Sequence, residues 1–120
     1  MPSLFCAHCH CSLCRRSHGA GFVTWFAVPR AGLRITDGGS DLARFRSSEH
    51  ATRSFCGVCG SSLFFESTLH PERIDIALAN MQAPIDREPQ LHVFFDHRAA
   101  WVKVDDSLPC LGGENGFEPR

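Results

Sequence analysis

The sequence predicts an all-β fold with short connections, and three observations carry that expectation. Brief β-branched and aromatic runs recur along the 120 residues, with Gly, Pro and Asp between them. No segment sustains a helical period, and only Ser12 to His18 reads as a helical turn. Two groups of closely spaced cysteines, Cys9-His10-Cys11-Ser12-Leu13-Cys14 and Cys56-Gly57-Val58-Cys59, read as tight turns, the first ahead of such a run and the second between two of them.

In chain order, Phe22 to Val28 reads as a strand buried on both faces and stopped by Pro29. Leu33 to Thr36 reads as a short strand closed by Asp37-Gly38-Gly39, with Ala43 to Arg46 as the next. Ala51 to Phe55 and Ser62 to Phe65 flank the second cysteine pair and predict a strand, knuckle, strand hairpin, in which zinc would replace missing turn hydrogen bonds. Ile74, Ile76 and Leu78, and then Leu91, Val93 and Phe95, alternate with their neighbours at a period of two, giving two more strands. Trp101 to Val104 is a candidate last strand, and the Gly-, Glu- and Pro-rich tail from about residue 112 is expected to be loose. With no repeat and no linker, residues 1–120 are expected to form a single domain.

Composition narrows the function. A chain with 43% hydrophobic and 21% charged residues is that of an ordinary globular protein. Its net charge of -1 argues against a dedicated nucleic-acid binder, which needs a cationic excess. No apolar run is long enough to span a membrane and no signal-peptide core precedes the cysteines, so no membrane partner and a cytoplasmic location are expected. Unpaired strand edges are compatible with a homodimer.

Seven cysteines could suggest a disulfide scaffold, but the number is odd and five of them stand at one- or two-residue gaps. Thiolates converging on zinc explain the crowding better, with a redox dithiol or buried structural cysteines as alternatives. In C-x-C-x-x-C, Cys9, Cys11 and Cys14 can fold onto one ion and leave a fourth position for water, a substrate thiol or another ligand. Cys56 and Cys59 form a knuckle in which Gly57 and Gly60 let backbone amides turn toward sulfur. Cys110 reads as a small apolar residue. His10 and His18 could donate hydrogen bonds to sulfur, His92 reads as a half-buried histidine, and Arg15 and Arg16 could hold carboxylates or be a solvated pair.

These residues resemble the glutathione-dependent formaldehyde-activating (Gfa-like) family of the Mss4-like fold. The resemblance runs from about residue 6 to 111. It is carried by Cys9-His10-Cys11-Ser12-Leu13-Cys14-Arg15-Arg16, Gly19, Arg53-Ser54-Phe55-Cys56-Gly57-Val58-Cys59-Gly60, Leu91-His92-Val93-Phe94-Phe95, Trp101 and Leu108-Pro109. It implies an Mss4-like zinc-binding β-sheet with Cys9, Cys11 and Cys14 on a catalytic zinc and Cys56 and Cys59 as half of a structural site. The family's other half-site, a C-x-C upstream, has no match here, and an N-terminal strand pair is expected to be absent with it. Cys6 and His8 are the ligand types that stand upstream instead, and Cys6 and Cys9 with Cys56 and Cys59 would make a four-thiolate alternative.

The activity implied is that of a carbon-sulfur lyase acting on S-hydroxymethylglutathione, the adduct of formaldehyde and glutathione, with a small thiol such as glutathione as partner. The alternative is a non-enzymatic zinc-binding module of the same fold that binds a protein partner.

Overall fold

The computed structural model describes residues 2–36 and 41–120. Its strands are β1 (Phe5–Cys9), β2 (Val23–Pro29), β3 (Leu42–Arg46), β4 (Ala51–Cys56), β5 (Ser62–Ser67), β6 (Arg73–Ala77), β7 (Leu91–Val93), β8 (Leu111–Gly112) and β9 (Glu118–Pro119), with one α-helix, α1 (Ser12–His18). The sheet-dominated architecture is the one expected. The described residues fall into two compact units, residues 2–4 with 26–36 and 41–86, and Phe5–Trp25 with Arg87–Arg120.

In the first unit the strand order is β3-β4-β5-β6-β2. The antiparallel β3–β4 and β4–β5 pairs form as the alternation of residues requires, with an irregularity in register at Ser54/Phe55. β3 lies at the sheet edge and exposes Arg44 and Arg46, charges that discourage edge-to-edge pairing. Phe26, Ala27, Val28, Ile74, Ile76 and Ala77 supply the buried apolar side chains. Each fully buried large one contributes about 1.5–3 kcal/mol.

Two expectations fail here. Leu33 to Thr36 belongs to no strand: Pro29 is followed by a 3-10 turn, Arg30–Gly32, and the chain then runs extended without pairing. The Asp37-Gly38-Gly39 turn lies outside the described residues. The cysteine knuckle also closes itself, since Cys56 N–H donates to the Ser61 carbonyl and Gly60 N–H to the Cys56 carbonyl, both at 2.8 Å. Gly60 makes this possible with φ 82°, and no ion is needed to replace turn hydrogen bonds.

In the second unit the order is β2-β1-β7, and β1 runs parallel to β7 with His8 opposite His92 and Cys9 opposite Val93. The first strand, β1, follows from Phe5-Cys6-Ala7, a stretch the periodicity reading passes over because cysteines and histidines interrupt it. β7 is shorter than the alternation predicts. Phe94 adopts φ 52°, a region costly for a bulky residue, and its N–H turns to the Gly116 carbonyl at 2.9 Å.

Trp101 to Val104 is not a strand, and the Trp101 ring is 71% exposed. The tail, expected to be loose, pairs instead as the β8–β9 hairpin. Asp96 accepts from Gly113 N–H at 2.7 Å and from Arg120 Nε at 2.8 Å, and Phe117 meets the rings of Phe5 and Phe94. The contacts that order this segment come from residues far away in sequence, so its own composition does not reveal them.

Candidate metal centre

β1 delivers Cys9 to the start of a turn whose helix begins three residues later. Cys11 is the N-cap of α1, and its sulfur accepts the N–H of Cys14 at 3.2 Å. An N-cap and the third helical residue lie on one side of a helix start, which is why a two-residue gap brings both sulfurs together. Gly19 closes α1 with φ 62°, and Arg15, Arg16 and His18 occupy its last turn, where cations complement the helix dipole. Cys14 is the buried residue of the helix.

The sulfurs of Cys9, Cys11 and Cys14 all lie within 4.8 Å of one another, and Cys9 Sγ is 3.7 Å from Cys14 Sγ. Two sulfurs bound to one tetrahedral ion at about 2.3 Å each would stand about 3.8 Å apart. The observed pair already has that separation. Hydrogen bonding with the sulfurs of Cys11 and Cys14, followed by burial, pushes the Cys9 thiol far above the usual range, and the Cys14 thiol pushes Cys11 up as well. Three crowded sulfurs give up their protons to solvent only when a cation compensates the thiolate charge, so spacing and chemistry both fit a thiophilic metal ion.

This geometry places the chain among known proteins. The family profile described as "Glutathione-dependent formaldehyde-activating enzyme" matches residues 2–97. The chain belongs to that family. A Halomonas elongata protein, provisionally assigned as a glutathione-dependent formaldehyde-activating enzyme, is 21% identical over 113 residues, covering 88% of this chain and 72% of its own length. A crystal structure of a Rhodobacter sphaeroides protein shares the fold, with a TM-score of 0.56 at 23% identity over 69% of this chain and 73% of that one.

The remaining residues singled out from the sequence are placed as follows. Cys56 is half-buried and Cys59 exposed at the knuckle. Cys59 N–H points to Cys56 Sγ at 3.5 Å, and Cys59 Sγ lies 3.1 Å from Ser61 Oγ, a contact that lowers the Cys59 thiol pKa. Among the described residues this pair joins no group of three potential ligands, so a metal role there needs two further donors. Cys6 is fully buried in β1 and also joins no such group. Cys110 is half-buried, its thiol facing the Leu108 carbonyl at 3.7 Å.

The histidines differ most from expectation. His10 does not reach a sulfur: its Nε2 meets His92 Nδ1 at 2.8 Å, and His92 Nε2 meets both Asp106 oxygens, at 3.1 and 3.0 Å. His92 is 2% exposed rather than half-buried. Burial, then the neighbouring His92, lowers the His10 pKa to about 4, and the His92 hydrogen bond holds Asp106 below the ordinary carboxylate range. His10 is therefore neutral near pH 7, and its Nδ1 is buried without a hydrogen-bond partner. His18 packs edge-on against Trp25. Arg15 donates to the His10 carbonyl at 3.4 Å and to the His97 carbonyl at 3.2 Å, and Arg16 is exposed. Asp106 is the residue that sequence reading missed altogether.

Proposed function

We propose that this chain acts on the thiol adduct of formaldehyde, S-hydroxymethylglutathione, as a zinc-dependent carbon-sulfur lyase, with Cys9, Cys11 and Cys14 as the metal ligands at the reacting centre. The observation that carries the reading is the 3.7 Å separation of Cys9 Sγ and Cys14 Sγ within a three-sulfur group. Family membership and the name of the Halomonas relative support the substrate class. A zinc ion on three thiolates would supply a Lewis acid that takes a substrate thiol in its thiolate form.

In the direction of release, the carbon-sulfur bond breaks with its electron pair going to sulfur. The hydroxyl proton passes through solvent to the departing sulfur, giving formaldehyde and glutathione. The chain's own residues prepare this centre. Cys11 fixes the start of α1, Cys14 is held by the buried face of the helix, and Arg15 ties α1 to the backbone at His10 and His97. His10 has no path to a substrate, because its ring is covered; it acts as a positioning residue that holds the Cys9–Cys11 turn against β7. Arg16, exposed on the same helix, is the free guanidinium available to a glutathione carboxylate.

The test is the exchange of formaldehyde with glutathione, followed by magnetisation-transfer NMR with zinc-loaded protein. Acceleration that is lost in Cys11→Ser is expected. Zinc-loaded protein that neither binds glutathione at millimolar concentration nor accelerates exchange would remove the reading.

A further inference from the structure

The second unit contains another convergence of ligand-type side chains, distinct from the cysteines. His8 and His92 are register partners in the parallel β1–β7 pair, so their side chains leave the same face. Their ring centroids are 4.9 Å apart. Asp106 brings its carboxylate to His92 from the segment after Trp101. A ring nitrogen of His8, a ring nitrogen of His92 and a carboxylate oxygen of Asp106 all lie within 4.8 Å of one another.

The other nitrogen of each imidazole is already committed. His8 Nδ1 meets Thr24 Oγ1 at 2.8 Å, and His92 Nδ1 meets His10 Nε2 at 2.8 Å. Metal-binding histidines are oriented in this way, by a hydrogen bond from the nitrogen that does not ligate. Tetrahedral bonds of about 2.0–2.2 Å to nitrogen and oxygen would set neighbouring donors roughly 3.3–3.6 Å apart. The His92–Asp106 hydrogen bond, at 3.0 Å, would open by about 0.3–0.6 Å to admit an ion. His8 would close by no more than about 1.5 Å, a ring adjustment well within side-chain motion.

The site also grades from interior to solvent. The His92 side chain is 2% exposed and that of Asp106 41%, so the open coordination positions face water. We propose that His8, His92 and Asp106 bind one divalent first-row transition ion, separately from the cysteine group, with the remaining positions open to solvent. Two imidazoles and a carboxylate form a borderline nitrogen and oxygen set suited to zinc, cobalt, nickel or ferrous iron, and poorly suited to calcium or magnesium. The assignment also gives His8 a role other than that of a substitute ligand for a missing cysteine.

The experiment is a titration with Co2+ of the chain carrying one equivalent of zinc, which the thiolates take first, read by visible absorption. One cobalt per chain is expected, with ligand-field bands and no thiolate-to-metal charge transfer. Asp106→Asn and His8→Gln should each weaken that binding by about tenfold or more. These two positions are preferred to the buried His92, and thermal melts of both variants check that they fold. Cys11→Ser should keep the cobalt affinity, so failure of the lyase reading and failure of this site are separable. The proposal is overturned if no cobalt binds below about 1 mM, if a thiolate charge-transfer band is the only signal, or if neither variant changes the affinity.

Discussion

Lowering the pH should strip metal from the Cys9, Cys11 and Cys14 group with a steep and calculable dependence. Ligation requires each thiol to give up its proton, so binding strengthens as pH rises and weakens as pH falls. In the metal-free protein the thiols of Cys9 and Cys11 are both held above the usual range, chiefly by hydrogen bonding among the three sulfurs, and are protonated near neutrality. Two protons must therefore leave when the ion enters. Each contributes a factor of ten per pH unit, so the apparent zinc affinity should change by about a hundredfold or more per unit between roughly pH 6 and 8. Release of a proton by Cys14 can only steepen this slope. The assay is competition against a chromophoric chelator whose own protonation is known, repeated across the range. A slope of tenfold or less per unit would mean that at most one thiol is displaced, and the three-thiolate centre would be wrong.

Chelation of the bound ion should lower the melting temperature by roughly 10–20 °C, because an ion present at a thousand times its Kd adds about 4 kcal/mol, which calorimetry checks directly. Gly116→Ala should cost about 1–3 kcal/mol, since Gly116 sits at φ 81° and an added Cβ would come within 2.5 Å of the Phe94 ring; an unchanged melt would mean the C-terminal hairpin does not bear on the fold. Cys59→Ser should change stability by less than about 0.5 kcal/mol, because Cys59 is exposed and its turn closes through backbone hydrogen bonds; a larger, zinc-dependent loss would place an ion on the knuckle.

The legible parts of the sequence are those where the determining interactions are local. Alternation over Ile74 to Ala77 gives β6, and the one- and two-residue gaps of Cys9, Cys11 and Cys14 give a shared sulfur site, because a turn and a helix start decide both. The parallel pairing of β1 with β7 could not be read, since a register between segments more than 80 residues apart has no local signature. Asp106 was hidden for the same reason: its position beside His92 depends on the route of an irregular segment. Trp101 to Val104 illustrates the converse, an apolar stretch with strand composition that finds no partner strand.

The pairing that sequence could not supply is what separates the two ligand sets. Along a strand, successive side chains point to opposite faces, so His8 shares its face with His92 while Cys9, one residue on, is directed away from it. His10 N–H continues the pairing by donating to the Val93 carbonyl at 3.0 Å, which returns the His10 ring to the face of His8 and His92. Strand geometry thereby puts the imidazoles of His8 and His10 on one side and the thiol of Cys9 on the other, and the start of α1 brings Cys11 to Cys9. Soft sulfur donors and borderline nitrogen donors then fall into different groups although they alternate in sequence. A one-residue slip of β1 against β7 would set Cys9 opposite His92 and mix the two sets. Both the three-thiol centre and the histidine-carboxylate group therefore depend on one short parallel register.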